Sequence, residues 1–219
     1  IYNDALDVIN QLLPYTELTF REGLPNLYCG MIVVILLVLY ALDQKVPLRE
    51  KALNGVFVLF MFFSLNTNKL DFLWHGLHFP NQLPFRYTFV ICFLLIGIAY
   101  KTFLDIDRFS IKHLWTILAA GTGYYLAAQK LMAKQEYDLD MFLYGGVAWL
   151  IIYCGVMILY KKGYFLKQTF PVLIAIIIAA EMAAGACISF KEIGNSYREG
   201  YFANSNDIKS VKLMGYASP

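Results

Sequence analysis

The sequence predicts an all-α fold: a polytopic transmembrane helical bundle of about six spans, cut from a larger membrane protein. Three observations carry this. Of 219 residues, 59% are hydrophobic and 16% charged, with a mean hydropathy of +0.54, whereas soluble globular chains carry roughly a quarter charged residues. The apolar residues gather in six runs, 27–42, 52–65, 87–104, 113–133, 141–160 and 169–189, most of them long enough for a helix that crosses a bilayer. Runs such as AWLIIYCGVMILY and PVLIAIIIAA are apolar on all sides, without the polar stripe of a helix that meets water. A net charge of +2, with basic residues scattered between the runs, leaves no electrostatic footprint for nucleic acid.

The elements follow in order. Residues 1–26 read as an external interfacial amphipathic segment: Asn3 caps a short helix whose Ala5, Val8, Ile9 and Leu12 share a face until Pro14 stops it, which suits the headgroup plane. Residues 27–189 form the bundle. The second run, 52–65, is shorter than the ~20 residues an upright span needs; it crosses only if Leu48, Lys51 and Asn66 reach the interfaces or the bilayer thins. On the fourth run Ala119, Gly123 and Ala127 recur at four-residue spacing, as do Ala175, Ala179 and Ala183 on the sixth. Small residues so spaced let backbones approach, and they predict that these two helices pair tightly. Glu181 falls inside the sixth run, where a lone charge costs at least ~3 kcal/mol. It must therefore meet a partner, Lys130 being the first choice, stay protonated, or line a substrate cavity. Residues 190–219 turn polar and read as the start of an external soluble region, while an Ile at position one with no basic leader reads as part of a longer protein.

Cys29, Cys92, Cys154 and Cys187 lie inside apolar runs without metal or CxxC spacing and read as small hydrophobes. Neither GxxxxGK nor GxGxxG occurs, so no soluble cofactor is implied. Lysine and arginine punctuate alternate loops: Lys45, Arg49 and Lys51, then Lys101, Arg108 and Lys112, then Lys161, Lys162 and Lys167. The retention of such loops in the cytoplasm places both ends of the chain outside, and with them the loop 73–86.

That loop, LWHGLHFPNQLPFR, is where chemistry is expected. Arg86 offers a planar fork of donors suited to phosphate oxygens, His75 and His78 can donate to the same anion or relay a proton, and Asn81 with the prolines fixes the turn. Trp74 and its aromatic neighbours also suit plain interfacial anchoring. Asp71 is the only acid beside the loop; as a catalytic base it competes with a structural role at a helix end. A zinc site from Asp71, His75 and His78 is conceivable on spacing, but it lacks a further ligand, and no metal is assigned.

The segments REGLPNLYCG (21–30), VPLREK (46–51) and SLNTNKLDFLWHGLHFPNQLPFRYTF (64–89) resemble the bacterial YfhO membrane protein family. The resemblance covers about the first half of the chain. It implies a glycosyltransferase C-type fold in the multi-pass bacterial cell membrane and transfer of a sugar from a polyprenyl-phosphate-linked donor. The acceptor would be a cell-envelope polymer such as lipoteichoic acid. The expected binding residues are then Arg86, His75, His78, Trp74, Asn81 and Glu181, with the general base most simply placed upstream of this chain and Asp71 as the one internal candidate. The rivals are a transporter or flippase for a lipid-linked sugar or another anion, and a non-catalytic membrane scaffold.

Overall fold

The computed structural model describes residues 5–16, 24–77, 85–131 and 139–200, the last ten of these by their backbone alone. Among them there are eight α-helices and no strands. The chain divides into two units, Ile1–Ile178 and Ala179–Pro219. The first holds α1 (Ala5–Asn10), α2 (Met31–Leu42), α3 (Leu48–Leu65), α4 (Asn68–Trp74), α5 (Thr88–Leu104), α6 (Ile111–Leu131), α7 (Leu139–Lys161) and the opening turns of α8 (Thr169–Gly200).

Helix boundaries depart from the runs for local reasons. The first run begins at residue 27, yet α2 starts only at Met31, after Gly30 at a φ of 103° that a helix cannot contain. Twelve residues make about 18 Å of helix, short of the ~30 Å hydrocarbon core. The second run gains a turn instead: Pro47 caps α3 and the segment LREK is helical. This makes 18 residues and about 27 Å. The sixth run continues into the polar region, so that α8 is helical to Gly200. Two helical stretches, Leu139–Lys161 and Thr169–Phe190, are long and apolar enough to cross a membrane, while α2 and α5 are shorter apolar helices.

The core of the first unit forms around α2, which packs along α5 and also meets α6 and α7. Its fully buried residues include Met31, Ile35, Leu39, Met61, Ile91, Leu114, Tyr125, Phe142 and Tyr153. The tight pair is α6 with α7, and the small residues that permit it are not those of the predicted stripe. Ala119, Gly123 and Ala127 are exposed, and a side chain at Gly123 would meet nothing. Gly146 and Gly121 are the close approaches: a Cβ at the first would overlap the ring of the buried Tyr125, and one at the second the Leu150 side chain. The outward faces are apolar, with Phe89, Phe93, Ile96 and Tyr100 along α5 and Leu53, Val56, Leu59 and Phe63 along α3 all exposed. Apolar surface on that scale marks a membrane or partner face.

The leader docks on the bundle. Val8, Asn10, Gln11 and Leu13 are buried, Tyr124 donates from its hydroxyl to Asn10 Oδ1 at 2.6 Å, and the Trp149 indole donates to the Tyr15 hydroxyl at 2.8 Å. Asn3, the expected cap, lies outside the described residues.

The turns between α2 and α3, α5 and α6, and α7 and α8 share one end of the unit and are tied by ions. Lys101 meets Glu50 at 2.6 Å, Arg108 meets Asp105 at 2.8 Å and Asp43 at 3.4 Å, and Lys167 meets Asp107 at 3.0 Å. The Tyr160 hydroxyl also donates to Asp107, at 2.9 Å. These bonds, Lys167 foremost, hold the Asp107 carboxyl below the usual carboxylate range. In the second unit Glu181 is buried, with 1% exposure, and Ser189 donates to the Gly185 carbonyl at 2.8 Å.

Candidate functional site

The opposite end of the first unit carries the motif loop, and here the sequence builds a short helix that the apolar pattern did not reveal. Thr67 turns its hydroxyl back to the Phe63 carbonyl at 2.9 Å, and α4 starts at the next residue, with Asp71 in its first turn. Four residues on, one turn later, stands His75, so both side chains share a face. The helix ends in a Schellman motif: the Leu77 amide donates to the Phe72 carbonyl at 3.0 Å and the Gly76 amide to the Leu73 carbonyl at 3.1 Å. Gly76 takes the left-handed φ of 68° that this motif places at the first residue past the cap. Leu77 and Phe85, at φ of 63° and 61°, carry the same conformation on either side of residues 78–84, and such residues concentrate where structure serves function.

Asp71 and His75 form the centre of the site. Asp71 is 9% exposed, and its Oδ1 lies 3.3 Å from His75 Nδ1. That nitrogen is closer to the Asp71 backbone carbonyl, at 2.8 Å. A carbonyl only accepts, so this contact assigns the proton to Nδ1 and the lone pair of the neutral ring to Nε2. Nε2 is buried with no hydrogen-bond partner among the described residues, as is Asn66 Oδ1, and Asp71 Oδ1 has there only its 3.3 Å contact with His75 Nδ1.

Tyr87 closes the cluster. It is 4% exposed and its hydroxyl donates to the Ser64 carbonyl at 2.9 Å, joining the end of α3 to the start of α5. Trp74 stacks on its ring at 5.1 Å between centroids, and His75 meets its edge at 6.2 Å. Sequence reasoning passed over Tyr87 as one more interfacial aromatic; its position next to Arg86 was the available signal. Arg86 itself is exposed and makes no ion pair among the described residues, so its guanidinium is open to an anion.

The structure thus brings Asp71, Trp74 and His75 together, with Arg86 one residue from the ring that packs on them. His78 and Asn81 lie outside the described residues, and Glu181 belongs to the second unit. Among the described residues no group of three His, Cys, Asp or Glu gathers as metal ligands. Chemically, the cluster offers a lone pair at Nε2, a carboxylate beside the ring and an aromatic face, with the exposed Arg86 next in sequence to Tyr87.

No curated protein and no solved structure matches this chain. The family model described as bacterial membrane protein YfhO matches residues 4–213, nearly the whole chain, and the protein belongs to that family.

Proposed function

We propose that this chain is the membrane-embedded part of a glycosyltransferase that takes its sugar from a polyprenyl-phosphate-linked donor and passes it to a cell-envelope polymer such as lipoteichoic acid. Family membership and two bilayer-length apolar helices make it a membrane protein. The proposal adds six spans in the bacterial cell membrane, with both ends and the motif loop on the outer side. The short helices α2 and α5 then cross with help from flanking segments.

The observation that carries the reading is the buried His75 Nε2 beside Asp71, without a hydrogen-bond partner among the described residues, with the exposed Arg86 one residue from Tyr87. Sugar transfer needs three things that this cluster supports. The donor phosphate departs as an anion, which Arg86 would bind in bidentate fashion. The acceptor hydroxyl must lose a proton as it attacks the anomeric carbon, and His75 Nε2 would receive it. A sugar ring needs a flat apolar face, and Trp74 stacked on Tyr87 offers one. The Asp71 backbone carbonyl fixes the His75 tautomer and its carboxylate would lie beside the ring, so the base falls to His75. His78 and Asn81 would add to the anion site, and Glu181 would line a substrate cavity within its own apolar helix region.

The test uses the protein in its native membrane with a radiolabelled polyprenyl phosphate sugar. Arg86→Ala should raise the donor KM and His75→Gln should lower kcat by roughly 10²–10⁴-fold, with expression unchanged. Wild-type turnover by His75→Gln dismisses the base assignment, and wild-type donor affinity in Arg86→Ala dismisses the anion site. A transporter for the same lipid-linked anion is the second reading, drawing on the buried Glu181 of the apolar helix. Turnover in detergent micelles excludes it; activity that needs a sealed vesicle favours it.

A further inference from the structure

Away from the motif cluster, the first unit contains a cavity of about 310 Å³ bounded by α1, α2, α6 and α7. This is the lower end of the roughly 300–1,000 Å³ of ligand pockets. Its walls are aliphatic or aromatic, among them Leu12, Val34, Ile35, Ile117, Ala120 and Leu150. A cavity so lined gives water no bonding partners and accepts hydrocarbon. Its rim includes Ile9, Val38 and Ala120, all of them exposed, so it opens through an apolar edge onto the surface that lipid covers. We infer that this cavity holds one acyl chain of a bilayer glycerolipid, at a lipid site separate from the Arg86 site.

Three observations select that occupant. The volume, with walls almost wholly apolar, admits the end of a single hydrocarbon chain. The polar groups recorded at its α1 roof, Asn10 and the Tyr124 hydroxyl, are neutral and bonded to each other, so they offer no cation to a polyprenyl phosphate. Arg86 leads into α5, which packs along α2 and contributes no residue to the cavity lining, where Met31, Val34, Ile35 and Val38 form the α2 face. The site does not depend on sugar transfer and stands or falls separately from it.

The experiment uses the full chain in vesicles of phosphatidylethanolamine and phosphatidylglycerol. One preparation contains phosphatidylethanolamine with a diazirine near the end of one acyl chain, and the other a diazirine-bearing polyprenyl phosphate. After irradiation, adducts are mapped by peptide mass spectrometry. The expected result is acyl-probe adducts on Leu12, Val34 and Ile35, lost in Ala120→Phe, which fills the cavity, while adducts on the outward Phe93 persist. Val34→Phe serves where Ala120→Phe fails to accumulate. Adducts inside the cavity from the polyprenyl probe alone overturn the assignment, as does labelling by neither probe, or labelling that survives both fillings.

Discussion

Replacing Tyr87 by Phe removes one oxygen from the middle of the motif cluster and leaves its ring in place. The lost bond is the 2.9 Å donation to the Ser64 carbonyl. That carbonyl keeps a second partner, the Thr67 amide at 3.3 Å, so the substitution strands no acceptor and the full desolvation penalty does not apply. An intramolecular hydrogen bond contributes about 0.5–1.5 kcal/mol net, and about 0.6 on average between membrane helices. We therefore expect a loss of about 1 kcal/mol, which at this chain length lowers the thermal midpoint by about 2–4 °C. Tyr87→Ala removes the ring as well. It takes away the stack on Trp74 at 5.1 Å and leaves a hole where a nearly buried aromatic stood, at a cost of about 3–5 kcal/mol. Thermal unfolding in detergent micelles, followed by far-UV circular dichroism, compares the three proteins. Equal destabilisation by Phe and Ala would show that the hydroxyl alone holds α3 to α5 and would refute the stacked-ring account. No destabilisation by either would remove Tyr87 from the cluster altogether.

Gly146→Ala places a methyl into the Tyr125 ring, and overpacking of this kind costs about 1–3 kcal/mol; Gly123→Ala, which meets nothing, should be neutral, and the same melting assay separates them. Gly76→Ala forces an alanine into the left-handed region at a cost of about 1–2 kcal/mol, and should speed amide exchange at Gly76 and Leu77 ahead of the rest of the unit. Acid should loosen the ion-tied end. Because Lys167, then the Tyr160 hydroxyl, hold the Asp107 carboxyl below its ordinary value, the ionised acid favours the folded state above the unfolded pKa of about 3.9, and this contribution is lost as pH falls through the lower folded value. Amide protection in residues 105–110 and 161–168, taken relative to the intrinsic exchange rate at each pH, should fall on acidification in the wild type and lose that pH dependence in Asp107→Asn.

The helices were legible where a long apolar run was their whole signal: α5, α6 and α7 begin and end within two residues of the runs that predicted them wherever those ends are described. What escaped was local backbone chemistry. Gly30 delays α2, Pro47 allows the charged LREK turn to join α3, and α4 is seven residues with no apolar stripe of its own. The sequence paired α6 with α8 through small side chains at four-residue spacing, a pattern that marks a possible groove and cannot say which helix fills it. The close contact of α6 with α7 is made by Gly146 against Tyr125 and Gly121 against Leu150, neither of them in that stripe. Asp71, Trp74 and His75 were named from the sequence. Their meeting with Tyr87 was not, since it depends on α3 and α5 returning to one place. Cys29 and Cys92, read as unrelated hydrophobes, are directed at the same Leu27 carbonyl, at 3.1 and 3.8 Å, a convergence across 63 residues that local spacing cannot reveal.

The two ends of the first unit treat their polar groups in opposite ways, and that contrast argues for which end works. At the basic end Lys101, Arg108 and Lys167 each meet a carboxylate, and the result is a clasp between turns, partly in solvent. At the motif end, His75 Nε2 and Asn66 Oδ1 are buried without hydrogen-bond partners among the described residues, although each such atom costs about 1–3 kcal/mol. A bundle selected for stability alone would bond those atoms or replace the residues with apolar ones. Retaining two of them near an exposed arginine fits a surface whose hydrogen bonds a ligand completes, an anion with hydroxyl-bearing groups attached being the one that matches both donors and acceptors. Adding inorganic phosphate or a soluble sugar phosphate should therefore slow hydrogen exchange across α4 and the first turn of α5 more than at the basic end. Protection concentrated at the basic end instead would reverse the assignment.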